Sequence, residues 1–418
     1  MCDRRRVVLT GIGVVSCLGA TFGELASGLV EGKSGVRALT RFDATRFPGS
    51  LAAEVRDGSF AAAEGPYSYE IRRAGRFVQY AVAAAESAVA DLGMPWRELP
   101  PDRAGVYLGV STGGLDEMEA AVLRQEQRGP GKISPYQITS MLPNMAAGLI
   151  AMRLGCSGPH YTFNAACAGG TQAIGEAMHG IRAGRLVSAL VCGADGVLTP
   201  IAYSSFGAMR MLAASADVES VPRPFDESSN GIVLGEGAAA FVLEDREHAE
   251  ARGATIYAEL LGYAATTGGA RVALQSKDDV WRCMEATLED ARLRAAEVDA
   301  IYAQAAGIRQ GDECELEAIE AAFPPDRMRP AILSIKGHIG HTFAASGPFN
   351  VAGAVAALRS GKLPKTRNLR APLARFAHMN FGPDYRVPRP RNILINTYGF
   401  GGLNASLCVA GARPTLQS

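Results

Sequence analysis

The run His160-Tyr-Thr-Phe-Asn-Ala-Ala-Cys-Ala-Gly-Gly-Thr171 places one thiol, Cys167, where an apolar strand-like stretch gives way to a helix-like stretch of small residues. A thiol attacks only as its anion, and a free one titrates near about 8.5, so little of it is ionised at neutral pH. Unpaired N–H groups and the dipole at a helix start favour the anion. The position therefore predicts a lowered pKa and a nucleophilic sulfur; taken alone, such a cysteine is also read as a small buried hydrophobe. The eight cysteines lie scattered with no Cys-x-x-Cys pair, which argues against a zinc site and against a disulfide framework. His338 and His341 are three apart, yet no third or fourth ligand of suitable spacing accompanies them, and no metal is expected.

The elements that hold this thiol must come from an α/β chain. Helix-like stretches such as Tyr80-Ala-Val-Ala-Ala-Ala-Glu-Ser-Ala-Val-Ala alternate with buried-type strands such as Ala189-Leu-Val-Cys-Gly-Ala. At 418 residues and 48 % hydrophobic composition the chain can bury a large core, as one big domain or as two halves. A faint internal echo favours two halves, 1–250 carrying the cysteine and 251–418. In the first, a helix at 76–92 precedes strand Ala104-Gly-Val-Tyr-Leu-Gly-Val and a helix from Leu115; in the second, helix 278–294 precedes Ala300-Ile-Tyr-Ala-Gln-Ala and a helix at 312–323. Helix 168–184 and the helix after Gly347 continue the echo, which puts the Cys167 turn and the His341 turn at pseudo-equivalent, facing positions. Segment 125–147 has no clear period and reads as a long loop capping the core, and the tail from Arg413 reads as frayed.

Forty-two basic residues balance forty-two acidic ones, with no basic block, so neither nucleic acid nor an anionic membrane is the expected partner. No apolar run approaches the ~18 residues of a membrane span, and Met1-Cys-Asp-Arg-Arg-Arg leads into a strand-like run rather than a signal core; a cytoplasmic location is expected.

Four ordered motifs then suggest a family: Asn164-Ala-Ala-Cys167-Ala-Gly-Gly; Arg223-Pro-Phe-Asp226 with Gly235-Glu-Gly-Ala; Ser334-Ile-Lys336-Gly-His-Ile-Gly-His341; and Asn396-Thr-Tyr-Gly-Phe400-Gly-Gly-Leu-Asn404. Together, over nearly the whole chain, they resemble the β-ketoacyl-acyl-carrier-protein synthases of the elongating type. The resemblance implies a duplicated thiolase-like fold, a five-layered αβαβα sandwich, and usually a dimer, here a homodimer or a heterodimer with a related subunit. It implies an acyl carrier protein as partner, with the substrate on that protein's phosphopantetheine arm and no other cofactor. Cys167 matches the cysteine that takes the acyl chain. His341 matches the histidine whose imidazole N–H supports the thioester carbonyl. Lys336 matches the family's buried lysine and Glu315 the carboxylate expected to pair with it, because a buried ammonium without a partner is costly. Phe400 lies in a Gly-Phe-Gly-Gly turn with Gly401, Gly402 and Asn404 in support; its backbone N–H, with that of Cys167, matches the oxyanion hole, and its ring the gate of the acyl pocket.

The chain also departs from its family. Elongating members carry His-Gly-Thr-Gly-Thr after the strand that here begins at Ala300, and this chain has Gln304-Ala305-Ala306-Gly307-Ile308. Glutamine donates a hydrogen bond but carries no proton near neutral pH, and two hydroxyls are replaced by apolar side chains. After Tyr263 the family's longer loop is shortened to Ala265-Thr-Thr-Gly-Gly269. Both changes lie on the extender side, while Cys167, His341 and Phe400 are kept. The expectation is an atypical ketosynthase that loads an acyl chain on Cys167 and performs acyl transfer or non-decarboxylative, including intramolecular, carbon–carbon bond formation, with Gln304 orienting a substrate oxygen. Two alternatives stand beside it: an ordinary decarboxylative synthase of fatty-acid or polyketide elongation, with His338 or a water replacing the missing imidazole, and a non-catalytic chain-length partner.

Overall fold

In the computed structural model, residues 4–61, 63–268, 272–324, 330–382 and 389–412 are described. The main sheet is built from β1 (Val7–Val15), β2 (Ala104–Val110), β3 (His160–Asn164), β4 (Ser188–Asp195), β5 (Gly237–Asp245), β6 (Ala258–Thr267), β7 (Ala300–Tyr302), β8 (Ala331–Leu333), β9 (Asn392–Gly399) and β10 (Leu403–Gly411). Their order in space is β8-β7-β9-β10-β6-β1-β5-β4-β2-β3. Each side of the β6·β1 contact repeats one plan: third strand, second, fourth, fifth, first. The pairing senses repeat as well, parallel for β2 with β3 and β4, and for β7 with β8 and β9, antiparallel elsewhere. The fold is the duplicated α/β sandwich expected from the sequence.

The helices fill three layers. On the outside of the first half lie α1 (Arg76–Asp91) and α3 (Met145–Leu154); α2 (Leu115–Arg128) runs over the rim. On the outside of the second half lie α5 (Lys277–Ala291) and α6 (Arg309–Ala322), and between the two halves sit α4 (Gly169–Arg182) and α7 (Ser346–Ser360). Every residue of α7 from Ser346 to Leu358 is buried, which its sequence of small and apolar residues permits on all faces. Strands β1, β4 and β5 are buried on both faces for the same reason.

The middle helices touch through glycine. A Cβ on Gly170 of α4 would lie 2.2 Å from the Ala344 carbonyl oxygen, and one on Gly347 of α7 would lie 2.0 Å from Thr171 Oγ1. These mirrored close approaches bring the starts of both helices to one point. Phe349 is fully buried in the same layer, and truncating such a ring to Ala costs about 3–5 kcal/mol.

The structure corrects several sequence expectations. Segment 125–147 is not a loop throughout: α2 continues to Arg128, a short helix covers Gln137–Met141, and α3 begins at Met145. Only the last turn of α2, the five residues Gln137–Met141 and the start of α3 fall within it, each too short to show a period. The strand from Ala300 ends at Tyr302, and Ala265–Thr267 belongs to β6 rather than to a loop. Gly269 and the tail from Arg413 lie outside the described residues. Among the described residues no helix is long and apolar enough to cross a membrane.

Candidate active site

Cys167 sits on a tight turn, Ala166–Ala168, between edge strand β3 and α4. Ala166 takes a left-handed φ of 46°, a conformation that non-glycine residues adopt only when their surroundings hold them there. The turn pushes the cysteine out of line with the strand and into a cavity of about 560 Å³, which Cys167, Gln304, His341 and Phe400 all line. The other walls are largely apolar, with Phe206, Met209, Met211, Ile232 and Phe343 among them.

His341 Nε2 lies 3.4 Å from Cys167 Sγ. The backbone N–H of Phe343 donates to His341 Nδ1 at 3.2 Å, so Nδ1 is an acceptor and the single proton of a neutral imidazole belongs on Nε2, facing the sulfur. Burial, reinforced by the Lys336 charge, holds the ring well below the usual histidine range and keeps it neutral. His341 is thus a hydrogen-bond donor to this site rather than the base that takes the thiol proton. Its backbone is fixed by bonds from His341 N–H to Val233 O and from Gly235 N–H to His341 O, both 2.8 Å, and Phe343 stacks on its ring at 4.7 Å.

The expected lowering of the Cys167 pKa is not what the surroundings dictate. Burial pushes the thiol up to about 12, with Lys336 pulling it down and Asp195 raising it further. Desolvation disfavours the thiolate in an apolar cavity, and the helix start opposes it.

Lys336 and Glu315 are both buried, as expected, but they do not form a direct ion pair. Glu315 accepts the backbone N–H groups of Gln304 at 3.0 Å and Ala305 at 2.9 Å, and Asn396 Nδ2 at 3.2 Å. Lys336 Nζ instead donates to Gln304 Oε1 at 3.3 Å. Burial lowers the ammonium pKa to about 8, opposed by the Glu315 charge, and raises that of Glu315, opposed by its hydrogen bonds. Gln304 also donates from Nε2 to Tyr398 O at 3.1 Å, so both ends of its amide are held and its orientation is set. The segment 304–307 hangs on carboxylates through its backbone: Asp312 accepts Ala306 N–H at 3.1 Å and Gly307 N–H at 3.2 Å. Its side chains are therefore free to differ without loss of its shape.

His338 is not in the cavity. It is fully buried, with Nδ1 2.8 Å from Lys33 O and Nε2 2.8 Å from Lys365 O, and it ties two surface loops to the turn that carries Lys336 and His341. It therefore cannot stand in for the missing imidazole.

The Phe400 turn closes the site. Gly401 and Gly402 have φ of 85° and 74°, and Asn404 Nδ2 braces the turn by donating to Gly402 O at 3.3 Å. A Cβ on Gly399 would lie 3.1 Å from the Cys167 nitrogen, so the two backbones are nearly in contact. Among the described residues Phe400 N–H has no hydrogen-bond acceptor, and Cys167 N–H has none beyond its own sulfur. Sequence reasoning missed three groups here. Asp195 is buried and accepts from Ser111 Oγ and from Ala344 N–H, both at 2.8 Å. Gln275 lines the cavity, as does Arg210. An acid ending the apolar strand β4 was the visible signal for Asp195; nothing local marks the other two. Among the described residues, no group of three or more His, Cys, Asp or Glu side chains is placed to hold a metal.

Residues 4–249 match the family described as Beta-ketoacyl synthase, N-terminal domain, and residues 257–370 match Beta-ketoacyl synthase, C-terminal domain. The chain belongs to the β-ketoacyl synthase family. It is 35 % identical over 412 residues to 3-oxoacyl-[acyl-carrier-protein] synthase 2 of Coxiella burnetii, covering 98 % of this chain and 99 % of that one. The structure of the ishigamide ketosynthase/chain length factor superposes with a TM-score of 0.90 at 31 % identity, over 98 % of this chain and 100 % of that one. A type II polyketide synthase acyl-carrier protein in complex with its ketosynthase bound to the hexaketide gives a TM-score of 0.89 at 26 % identity, over 98 % and 100 %. As a β-ketoacyl synthase of thiolase-like fold the protein is an enzyme, an acyltransferase of the ketosynthase type.

Proposed function

We propose that this ketosynthase takes an acyl chain from an acyl carrier protein onto Cys167 and then performs acyl transfer or non-decarboxylative carbon–carbon bond formation in a polyketide-like or other natural-product pathway. Sulfur attacks the thioester carbonyl, the bond to the pantetheine sulfur breaks, and the proton lost by Cys167 ends on the departing thiol. His341 Nε2–H steadies the sulfur and the carbonyl, and the N–H groups of Cys167 and Phe400 receive the tetrahedral oxyanion. The chain then passes to a second carrier thiol or to a carbon nucleophile already within it.

The observation that carries this reading is Gln304. Its amide is held between Lys336 and Tyr398 O, on the extender side, where it has no proton to exchange near neutral pH. Loss of a general acid–base group costs about 10²–10⁴ in rate. Lys336 and Glu315 support the site's charge and geometry, and Gly401, Gly402 and Asn404 support the turn. The Arg210 guanidinium among the cavity-lining residues suits the phosphate of a carrier's arm, and no cofactor beyond that arm is proposed. The division of the chain into 1–250 and 251–418 is supported by the repeated strand order. A dimer in the cytoplasm is proposed as well. Its support is the unpaired edge of β3, where Tyr161 is 52 % exposed, with Met152 53 % exposed on α3.

Ordinary decarboxylative elongation is the second reading, favoured by the full-length similarity to a 3-oxoacyl-[acyl-carrier-protein] synthase. A non-catalytic chain-length role is opposed by the retained thiol on a cavity wall. Incubation of the acylated enzyme with carboxyl-labelled malonyl carrier separates the first two. Labelled carbon dioxide at the level of an enzyme-free blank is expected; brisk release with a ketoacyl product overturns the proposal.

A further inference from the structure

We infer that Gln275 is a positioning residue for the oxyanion hole. It stands on the segment between β6 and α5 and lines the active-site cavity. Its Nε2 donates to the backbone carbonyl of Gly399 at 2.8 Å. Because a carbonyl oxygen only accepts, this bond fixes which end of the side-chain amide points at the turn. The Gly399 carbonyl and the Phe400 N–H belong to one peptide plane and point in opposite directions across it. A bond that holds the carbonyl on the Gln275 side therefore holds the N–H on the other.

That N–H is free of any protein acceptor among the described residues, and the same peptide begins at a glycine whose added Cβ would lie 3.1 Å from the Cys167 nitrogen. The need for such a brace follows from the neighbours. Gly399 bounds this peptide on one side, and a glycine there lets the plane rotate at lower cost than a residue with a Cβ. Gly401 N–H bonds Val272 O and Gly268 N–H bonds Gly402 O, both at 2.7 Å, which anchors the far side of the turn, while the Gly399–Phe400 plane is held by the pairing of Gly399 with Leu403 in β9 and β10 and by Gln275. Gln275 is in turn seated on α6, where Cys314 Sγ approaches its backbone carbonyl at 3.5 Å. Without this brace the Gly399 carbonyl keeps only its ladder partner at the last pair of the hairpin, and the plane can tilt and carry one of the two oxyanion donors away from the reacting carbonyl.

This rests on the acylation of Cys167 proposed above. The test compares two reactions of the same sulfur in wild type, Gln275→Ala and Gln275→Glu. Acylation by octanoyl-N-acetylcysteamine builds an oxyanion; alkylation by iodoacetamide does not. Loss of a well-placed oxyanion donor costs about 10²–10³ in rate, so loss of its brace is expected to slow acylation by about 10- to 100-fold, in kcat rather than KM, with alkylation within about twofold of wild type. The glutamate variant adds a signature that a packing role does not give. Its carboxylate cannot donate to Gly399 O but its protonated form can, so its acylation rate relative to wild type should recover as pH falls through the carboxyl pKa. Equal losses in both reactions, or unchanged acylation in both variants, overturn the inference. Failure of the wild type to acylate at all would instead sink the reading on which it rests.

Discussion

At Ala166-Cys167-Ala168 and at Phe343-Ala344-Ala345 the chain makes the same turn twice. In each a residue with left-handed φ, 46° and 50°, leads into a tight turn and then into a central helix. What lies against the middle residue differs. Ala344 N–H donates to the carboxylate of Asp195, the last residue of β4. Against Cys167 stands Gly399, the last residue of the corresponding strand β9, with no side chain to accept anything. One turn is closed by an internal acceptor and serves the fold; its twin keeps both a thiol and an N–H open to a ligand. The position three residues before each middle residue is divided the same way, His341 in one copy and Asn164 in the other. Duplication supplied two identical frames, and chemistry was placed across the gap between them.

The largest expected effect comes from moving the thiol between frames. Cys167→Ala should abolish the acyl adduct seen by intact mass, and the double variant Cys167→Ala with Ala344→Cys should not restore it, because the N–H at 344 is already taken. Next, giving the open frame the acceptor of the closed one, Gly399→Asp, should cut acylation by about 10²–10³-fold by occupying the Cys167 N–H. An undiminished rate would mean that this N–H is not an oxyanion donor.

The pH profile of Cys167 alkylation sharpens the contrast between a helix start and burial. With the thiol pushed up to about 12 and His341 held neutral, the rate should climb through the alkaline range without a plateau near pH 7 and without a histidine inflection. A plateau below pH 8 would show that the helix start prevails. The smallest effect concerns Lys336. Its pKa in the fold is lowered from 10.5 to about 8, so the native state gives up this proton more readily than the unfolded chain. Stability from this group is present above the unfolded value and lost as pH falls through about 8. The melting temperature of the wild type should therefore rise relative to that of Lys336→Met as pH is raised above 8, and a constant difference across that range would show that this proton is not given up in the fold.

Some of this site was legible in the sequence because it is local. Cys167, His341 and the Phe400 turn each lie in a short run whose glycines and small residues mark a turn, and the alternation of elements marked the layers. Contacts across the fold were not legible. Glu315 and Lys336 were both found, but their separation depends on how α6 seats against β9, and each spends its hydrogen bonds elsewhere. Asp195 and Asp312 act through backbone N–H groups far away in sequence, which no spacing records. The direction of the Cys167 shift was missed because desolvation is a property of the assembled cavity and not of the turn.

The most direct measurement follows the mass of the enzyme after loading with an acyl-carrier thioester, before and after addition of malonyl carrier. An acyl adduct on Cys167 that malonyl carrier leaves in place is the expected result. Discharge of that adduct by malonyl carrier, with an extended ketoacyl chain appearing on the carrier, would contradict it.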